Sequence, residues 1–215
     1  MIIGINGKIN AGKDTVGEII QKLCLTNTNQ NYKIKKFADK LKDIVCILIG
    51  CTREQLEDRE FKEKELGEEW WYYCNSLFFD GETKMVSYSE ANDTIKDNTS
   101  WYIVKLTPRK LLQLLGTEAG RNIIHPNIWV NTLFADYSAQ SNWIITDIRF
   151  PNELKAVKDK KGITIRVTRP GTAIGSHPSE TALDDAKFDY EIINDGTMEE
   201  LVKKVREILI KEKLI

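Results

Sequence analysis

Lys13 closes the run Gly7-Lys8-Ile9-Asn10-Ala11-Gly12-Lys13-Asp14, which has the spacing G-x-x-x-x-G-K. Gly7 and Gly12 let backbone N–H groups turn inward and let a phosphate approach without a side chain in the way. Lys13 then supplies a cation that reaches the β- and γ-phosphates of a nucleotide. The chemistry such a loop serves is nucleotide binding and, with an acceptor present, phosphoryl transfer. Asp14 stands where these loops carry the Ser or Thr that binds Mg²⁺. A carboxylate also holds Mg²⁺, directly or through its waters, so Asp14 is expected to serve the metal. Thr15 is adjacent, but on a helix it points about 100° away from its neighbour.

A second group of reactive side chains lies in "WIITDIRF". Asp147 falls at the carboxyl end of an apolar run, where open α/β sheets place their ligands. A second carboxylate for the metal belongs there, and Arg149, two residues on, is available for a phosphate. The plainer reading is a capping Asp and a surface Arg. Phosphoryl transfer needs several cations around two phosphorylated substrates, because positioning and charge stabilisation lower the barrier. Lys42, Arg59, Arg109, Arg121, Arg166 and Arg169 are candidates, and their types alone do not say which are used. Asp159-Lys160-Lys161-Gly162 spells D-x-x-G, but at a helix end, and no N-K-x-D occurs. A GTPase switch is therefore not expected.

The elements that must position these groups are legible around them. Met1–Asn6 reads as a buried strand, and Lys13–Leu25 as a helix with Val16, Ile19, Ile20 and Leu23 on one face. Strand, glycine loop and helix thus occur in the order a phosphate loop requires. "YKIKKF" reads as a strand and "ADKLKDIVCILIG" as a helix stopped by Gly50. Residues 52–65 read as a charged helical face after a Thr N-cap. The aromatic-rich stretch 66–103 carries a turn signal at Asp80-Gly81 and reads as a hairpin insert. Its aromatics are expected to pack on one another more than on a base. From Pro108, "RKLLQLLGTEAGR" shows a period near 3.6, and "NIWVNTLFADYSAQ" a second amphipathic helix. "NWIITDIRF", "ITIRVTRPG" and "YEIIND" read as strands, with helices at "NELKAVKDKKG" and Thr197–Lys213. Strand and helix alternate at both ends of the chain, which predicts an α/β fold with a parallel β-sheet core flanked by helices.

Composition bounds the partners. The chain has 215 residues, enough for a substantial core, with 31 Lys+Arg against 32 Asp+Glu. Without a basic surface, binding to nucleic acid is not expected. Four cysteines occur without a C-x-x-C pair, and there are two histidines, so a zinc site is not expected either. Neither a signal peptide nor a membrane span is visible, and a reduced, cytoplasmic setting fits.

Beyond the loop, "FADKLKD" (37–43), "LEDREFKE" (56–63), "TPRKLLQLLGTEAGR" (107–121), "HPNIWV" (125–130), "ITDIRFPNE" (145–153), "IRVTRPG" (165–171), "HPSETAL" (177–183) and "INDGTMEELVKKV" (193–205) follow in order. Together they resemble the deoxynucleoside monophosphate kinases of tailed bacteriophages, from end to end. The resemblance implies a single P-loop kinase domain over 1–215, with a monophosphate-binding region at 38–103 that includes the aromatic insert, and a lid at 169–186. It implies transfer of the ATP γ-phosphoryl group to a dNMP with Mg²⁺, in the cytoplasm of an infected host cell, by a homodimer. Asp14 then marks the subgroup, since "GKD" is usual in this family and in the similar phosphomevalonate kinases. ATP contacts are implied for Gly7, Asn10, Ala11, Gly12, Lys13, Asp14, Thr15 and Arg169. Lys13, Asp14, Asp147 and Arg149 carry the catalytic expectation, with the metal at Asp14 and Asp147. The dNMP is expected at Lys42, Arg59, Arg109, Thr117, Trp129 and Arg149, with Trp129 beside the base or sugar. The segment 170–186 has a cover's composition, and Glu180 is expected to pair with an arginine when it shuts.

Two other readings use the same loop. One is a kinase for another phosphorylated acceptor, such as phosphomevalonate or dephospho-coenzyme A. The other is a non-catalytic ATP-binding module, which needs no second cationic pocket.

Overall fold

The computed structural model describes residues 1–75, 84–172 and 178–215. In chain order the elements are β1 (Ile2–Asn6), α1 (Lys13–Thr28), β2 (Lys33–Lys35), α2 (Asp39–Ile49), α3 (Arg53–Glu57), α4 (Arg59–Glu63), β3 (Trp71–Asn75), β4 (Lys84–Ser87), α5 (Asp93–Lys96), β5 (Tyr102–Lys105) and α6 (Pro108–Gln113). A π-helix (Leu114–Ile124) continues from α6. Then come α7 (Ile128–Phe134), β6 (Trp143–Ile148), α8 (Pro151–Asp159), β7 (Ile163–Thr168), α9 (Pro178–Thr181), β8 (Tyr190–Ile193) and α10 (Met198–Lys211). The chain forms two compact units, one of residues 1–40 and 127–215, the other of 41–126.

The first unit is built on a five-stranded sheet in the order β2-β6-β1-β7-β8. Its pairings are all parallel, as the alternation of strands and helices predicts. Parallel strands covered on both faces need apolar residues throughout. Ile2, Ile3 and Ile5 of β1 and Ile144, Ile145 and Ile148 of β6 meet that demand, each fully buried. Helix α1 lays Val16, Ile20, Leu23 and Cys24 into the core, and α10 adds Leu201, Val205, Ile208 and Leu209. A capping box between Thr197 and Glu200 starts α10. All strands run the same way, so the ends of β1, β6, β7 and β8 share one carboxyl edge.

The second unit holds an antiparallel sheet in the order β4-β3-β5. The hairpin expected in the aromatic insert is there as β3 and β4, and β5 extends it to Lys105. Its Asp80-Gly81 turn signal lies outside the described residues. Tyr73 and Tyr88 stack at 6.0 Å, and Trp71 meets Tyr88 edge-on at 5.5 Å. Lys105 lies 4.2 Å over the Trp71 ring. These rings are satisfied within the insert, as expected.

Two stretches depart from the sequence reading. Residues 52–65 form two short helices, because Asp58 both ends α3 and caps α4, with its carboxylate accepting from Phe61 N–H at 2.7 Å. The 3.6-residue period read across 109–121 holds only for α6. The chain then widens into the π-helix, where Gly116 and Gly120 are both buried. Glycine is a weak helix former, and the wider turn carries residues 114–124 out of the α-helical period.

Candidate active site

The loop between β1 and α1 has the geometry its glycines promise. Asn10 (φ 64°) and Gly12 (φ 98°) are left-handed, the alternation that points successive N–H groups into one concavity. Gly7 is required for a different reason: a Cβ there would strike the Val167 carbonyl oxygen. The loop is tied from two sides. Asn6 Nδ2 donates to the Ile148 carbonyl at 2.8 Å, and Asn194 Nδ2, just past β8, donates to the Ala11 carbonyl at 2.9 Å. Lys13 Nζ donates to the Lys8 carbonyl at 2.7 Å, inside the loop it closes. Burial lowers the Lys13 ammonium to about 8, with Arg149 adding to the shift and Glu180, Asp14 and Asp147 opposing it. The lysine, the arginine and the three acids therefore share one electrostatic neighbourhood.

Asp14 opens α1 and is exposed. Its Oδ1 accepts from Thr146 Oγ1 at 2.7 Å and from Lys36 Nζ at 2.9 Å. Burial pushes its carboxyl up, but those hydrogen bonds and the Lys36 and Lys13 charges hold it below its ordinary value. It is ionised and beside the loop, which fits a metal held with the help of nucleotide phosphates and water. Among the described residues no group of three or more His, Cys, Asp or Glu is placed to hold a metal alone.

Asp147 stands at the carboxyl end of its strand, β6, as the sequence predicts. It is half-buried, and its two carboxylate oxygens accept from Phe37 N–H at 2.7 Å and Ala38 N–H at 3.0 Å. Burial pushes its carboxyl up, against the two backbone N–H groups and Arg149. With both oxygens engaged by backbone N–H groups, this carboxylate fastens the turn between β2 and α2. Arg149, by contrast, points its guanidinium at Glu180 in an ion pair. The buried Glu153 accepts the N–H groups of Arg149 and Phe150 and so orders the start of α8.

Trp129 is 5% exposed on α7, which leaves little ring face for the base or sugar contact expected of it. Arg169 is exposed just past β7. Its carbonyl accepts from Thr172 Oγ1 at 3.0 Å. Ala11 is buried and Thr15 half-buried. Of the cover expected at 169–186, residues 173–177, with Gly175 and His177, lie outside the described residues.

In the second unit Lys42 Nζ pairs with Glu57 at 2.6 Å, and Arg109 pairs with Glu63. Burial pushes Glu57 up, but the Lys42 hydrogen bond and the Lys42, Arg53 and Lys62 charges hold it low. The Lys62 ammonium is lowered by burial first, then by Lys42 and Arg109, with Glu57 opposing. The Lys42 and Arg109 charges thus both act on Lys62, a grouping the sequence could not specify. Arg59 is exposed on α4, and Thr117 is half-buried on the π-helix.

Sequence reasoning passed over Lys8, Lys36, Lys62, Thr146 and Asn194. Lys8, Lys62, Thr146 and Asn194 did lie in stretches already singled out, the loop, "LEDREFKE", "WIITDIRF" and "INDG". Their partners are 132 or more residues away in the chain for Thr146, Lys8 and Asn194, and no local spacing reports such distances.

With this geometry in view, the relatives are informative. A family described as deoxynucleotide monophosphate kinase matches residues 68–205. The chain is 26% identical over 227 aligned positions to a deoxynucleoside-5'-monophosphate kinase of Escherichia phage T5, covering 90% of this chain and 89% of the relative. It is 26% identical over 248 positions to the deoxynucleotide monophosphate kinase of Enterobacteria phage T4, covering 97% and 98%. A putative deoxynucleotide monophosphate kinase of Acanthamoeba polyphaga mimivirus is 29% identical over 160 positions, covering 67% and 81%.

Proposed function

The chain belongs to the deoxynucleotide monophosphate kinase family, and from that premise we propose that it moves the γ-phosphoryl group of ATP onto a dNMP, giving dNDP and ADP. The observation that carries this reading is the loop at the carboxyl edge of the parallel sheet. Its Asn10 and Gly12 are left-handed, a conformation that suits a phosphate-binding turn, and Lys13 lies in the field of Arg149. The residues from Gly7 to Thr15 cradle the ATP phosphates, with Arg169 as a further ATP contact. Lys13 and Arg149 meet the charge that spreads over the transferred group. No catalytic base is needed, because the acceptor phosphate oxygen is already anionic near neutral pH.

Mg²⁺ would be held by Asp14, through its carboxylate or the waters around it, together with nucleotide phosphates. When bound it would neutralise charge on the β- and γ-phosphates. Asp147 acts as a positioning residue that fixes the turn leading into α2. Residues 41–126, which include most of the 38–103 region, are the acceptor-side unit. There Lys42, Arg109 and Lys62, with Arg59, receive the dNMP phosphate, and Thr117 faces the sugar or base. Trp129 shapes its surroundings from within the core. The segment 169–186 is the lid, and the protein works as a dimer, which sedimentation tests. No helix among the described residues is long and apolar enough to cross a membrane.

ADP release with ATP against each dNMP, each NMP, phosphomevalonate and dephospho-coenzyme A tests the acceptor. Turnover is expected with one or more dNMPs and not with the last two. Turnover confined to another acceptor overturns the assignment.

A further inference from the structure

A cavity of about 110 Å³ opens beside the phosphate loop, lined in part by Asn6, Gly7, Lys8, Arg149, Arg166 and Glu180. Three of those side chains are cations, and all three are engaged by one short segment of the same chain. Arg149 pairs with the Glu180 carboxylate, whose side chain is only 8% exposed. Lys8 Nζ donates to the Glu180 carbonyl and pairs with Asp184. Arg166 donates to the Leu183 and Asp184 carbonyls and lies 4.5 Å over the Phe188 ring. Residues 180–184 thus bring two carboxylates to a cluster of cations at the carboxyl edge of the sheet. Lys8 belongs to the phosphate loop itself, and the Glu180 charge also acts on Lys13.

Cations gathered at such an edge attract anions, and a carboxylate with one negative charge is the weaker competitor against a phosphoryl group with more. We propose that Glu180 is an internal stand-in for a phosphoryl group: its carboxylate occupies Arg149 while the site holds no nucleotide, and a nucleotide phosphate displaces it. This rests on the reading that the loop binds nucleotide phosphates, but not on which acceptor is used. The exchange keeps Arg149 ordered and neutralised before substrate arrives. It also lowers the apparent affinity for phosphates, because each binding event must first break the Arg149–Glu180 pair.

The sign of the affinity change separates this role from a purely structural one. Glu180→Gln removes the competing charge and keeps the shape. Calorimetry with inorganic tripolyphosphate is expected to show binding tighter by on the order of tenfold, the scale of one charge-assisted hydrogen bond. The KM for ATP falls with it, while kcat does not rise. Asp184→Asn, which releases Lys8 alone, shifts tripolyphosphate binding the same way by less, and decides the matter if Glu180→Gln does not fold. If Glu180 only pins its segment in place, binding by the folded variant is unchanged or weaker, and that result overturns the proposal. Tripolyphosphate needs no acceptor, so the outcomes are separable. A protein that phosphorylates no dNMP yet binds tripolyphosphate more tightly as Glu180→Gln would end the kinase reading and keep this one.

Discussion

Lys13 is held where burial and the Arg149 guanidinium both oppose its charge, and its ammonium is lowered to about 8. A bound phosphate brings opposite charge and raises it again. Nucleotide binding near pH 8 is therefore predicted to take up a proton, and affinity is predicted to fall as pH rises through that value. Calorimetry in two buffers of different ionisation enthalpy measures the uptake, and Lys13→Met is expected to abolish it. The residue scale is also where the sequence was most and least legible. Gly7, Gly12 and Lys13 announced themselves because phosphate binding constrains adjacent positions. Asp147 did not disclose its partners, because Phe37 and Ala38 lie 110 and 109 residues away. A carboxylate at a strand end looks the same in sequence whether it meets a metal or two backbone N–H groups.

Elements explain why that carboxylate matters. β2 and β6 pair in parallel, with Lys35 opposite Ile145, so Asp147 comes level with the turn that leads from β2 into α2. Asp147→Ala would leave two N–H groups without their acceptor. It is predicted to cost about 2–5 kcal/mol of unfolding free energy, read from urea denaturation, with less loss for Asp147→Asn. Periodicity found the parallel sheet well, since Ile2–Ile5 and Trp143–Ile148 are apolar runs of strand length. It misread residues 114–124 because a π-helix repeats at a longer interval than the α-helix that α6 begins. The aromatic insert was legible as a hairpin, whereas β5 was not, since its partner β3 lies some thirty residues back and nothing local marks that pairing.

Across the whole molecule, the two units divide the proposed labour. The phosphate loop, Asp14 and Arg149 belong to the first, and Lys42, Lys62 and Arg109 to the second. If that division holds, Lys62→Met is predicted to raise the KM for dNMP about tenfold and leave the KM for ATP nearly unchanged; steady-state kinetics with each substrate varied in turn will show it. An equal rise in both would place Lys62 outside the acceptor side. The near-zero net charge, 31 basic against 32 acidic residues, suits this arrangement, because the cations are concentrated locally and matched by acids such as Glu57, Glu63 and Glu180. The central claim is that the loop closed by Lys13 drives phosphoryl transfer to a deoxynucleotide. The most direct measurement follows label from γ-labelled ATP into dNDP, with the wild-type chain and with Lys13→Ala. The account predicts labelled dNDP from the wild type and a rate lower by about 10²–10³-fold in the variant, with the fold intact by circular dichroism. Labelled dNDP formed equally fast by Lys13→Ala, or none formed by the wild type, would contradict it.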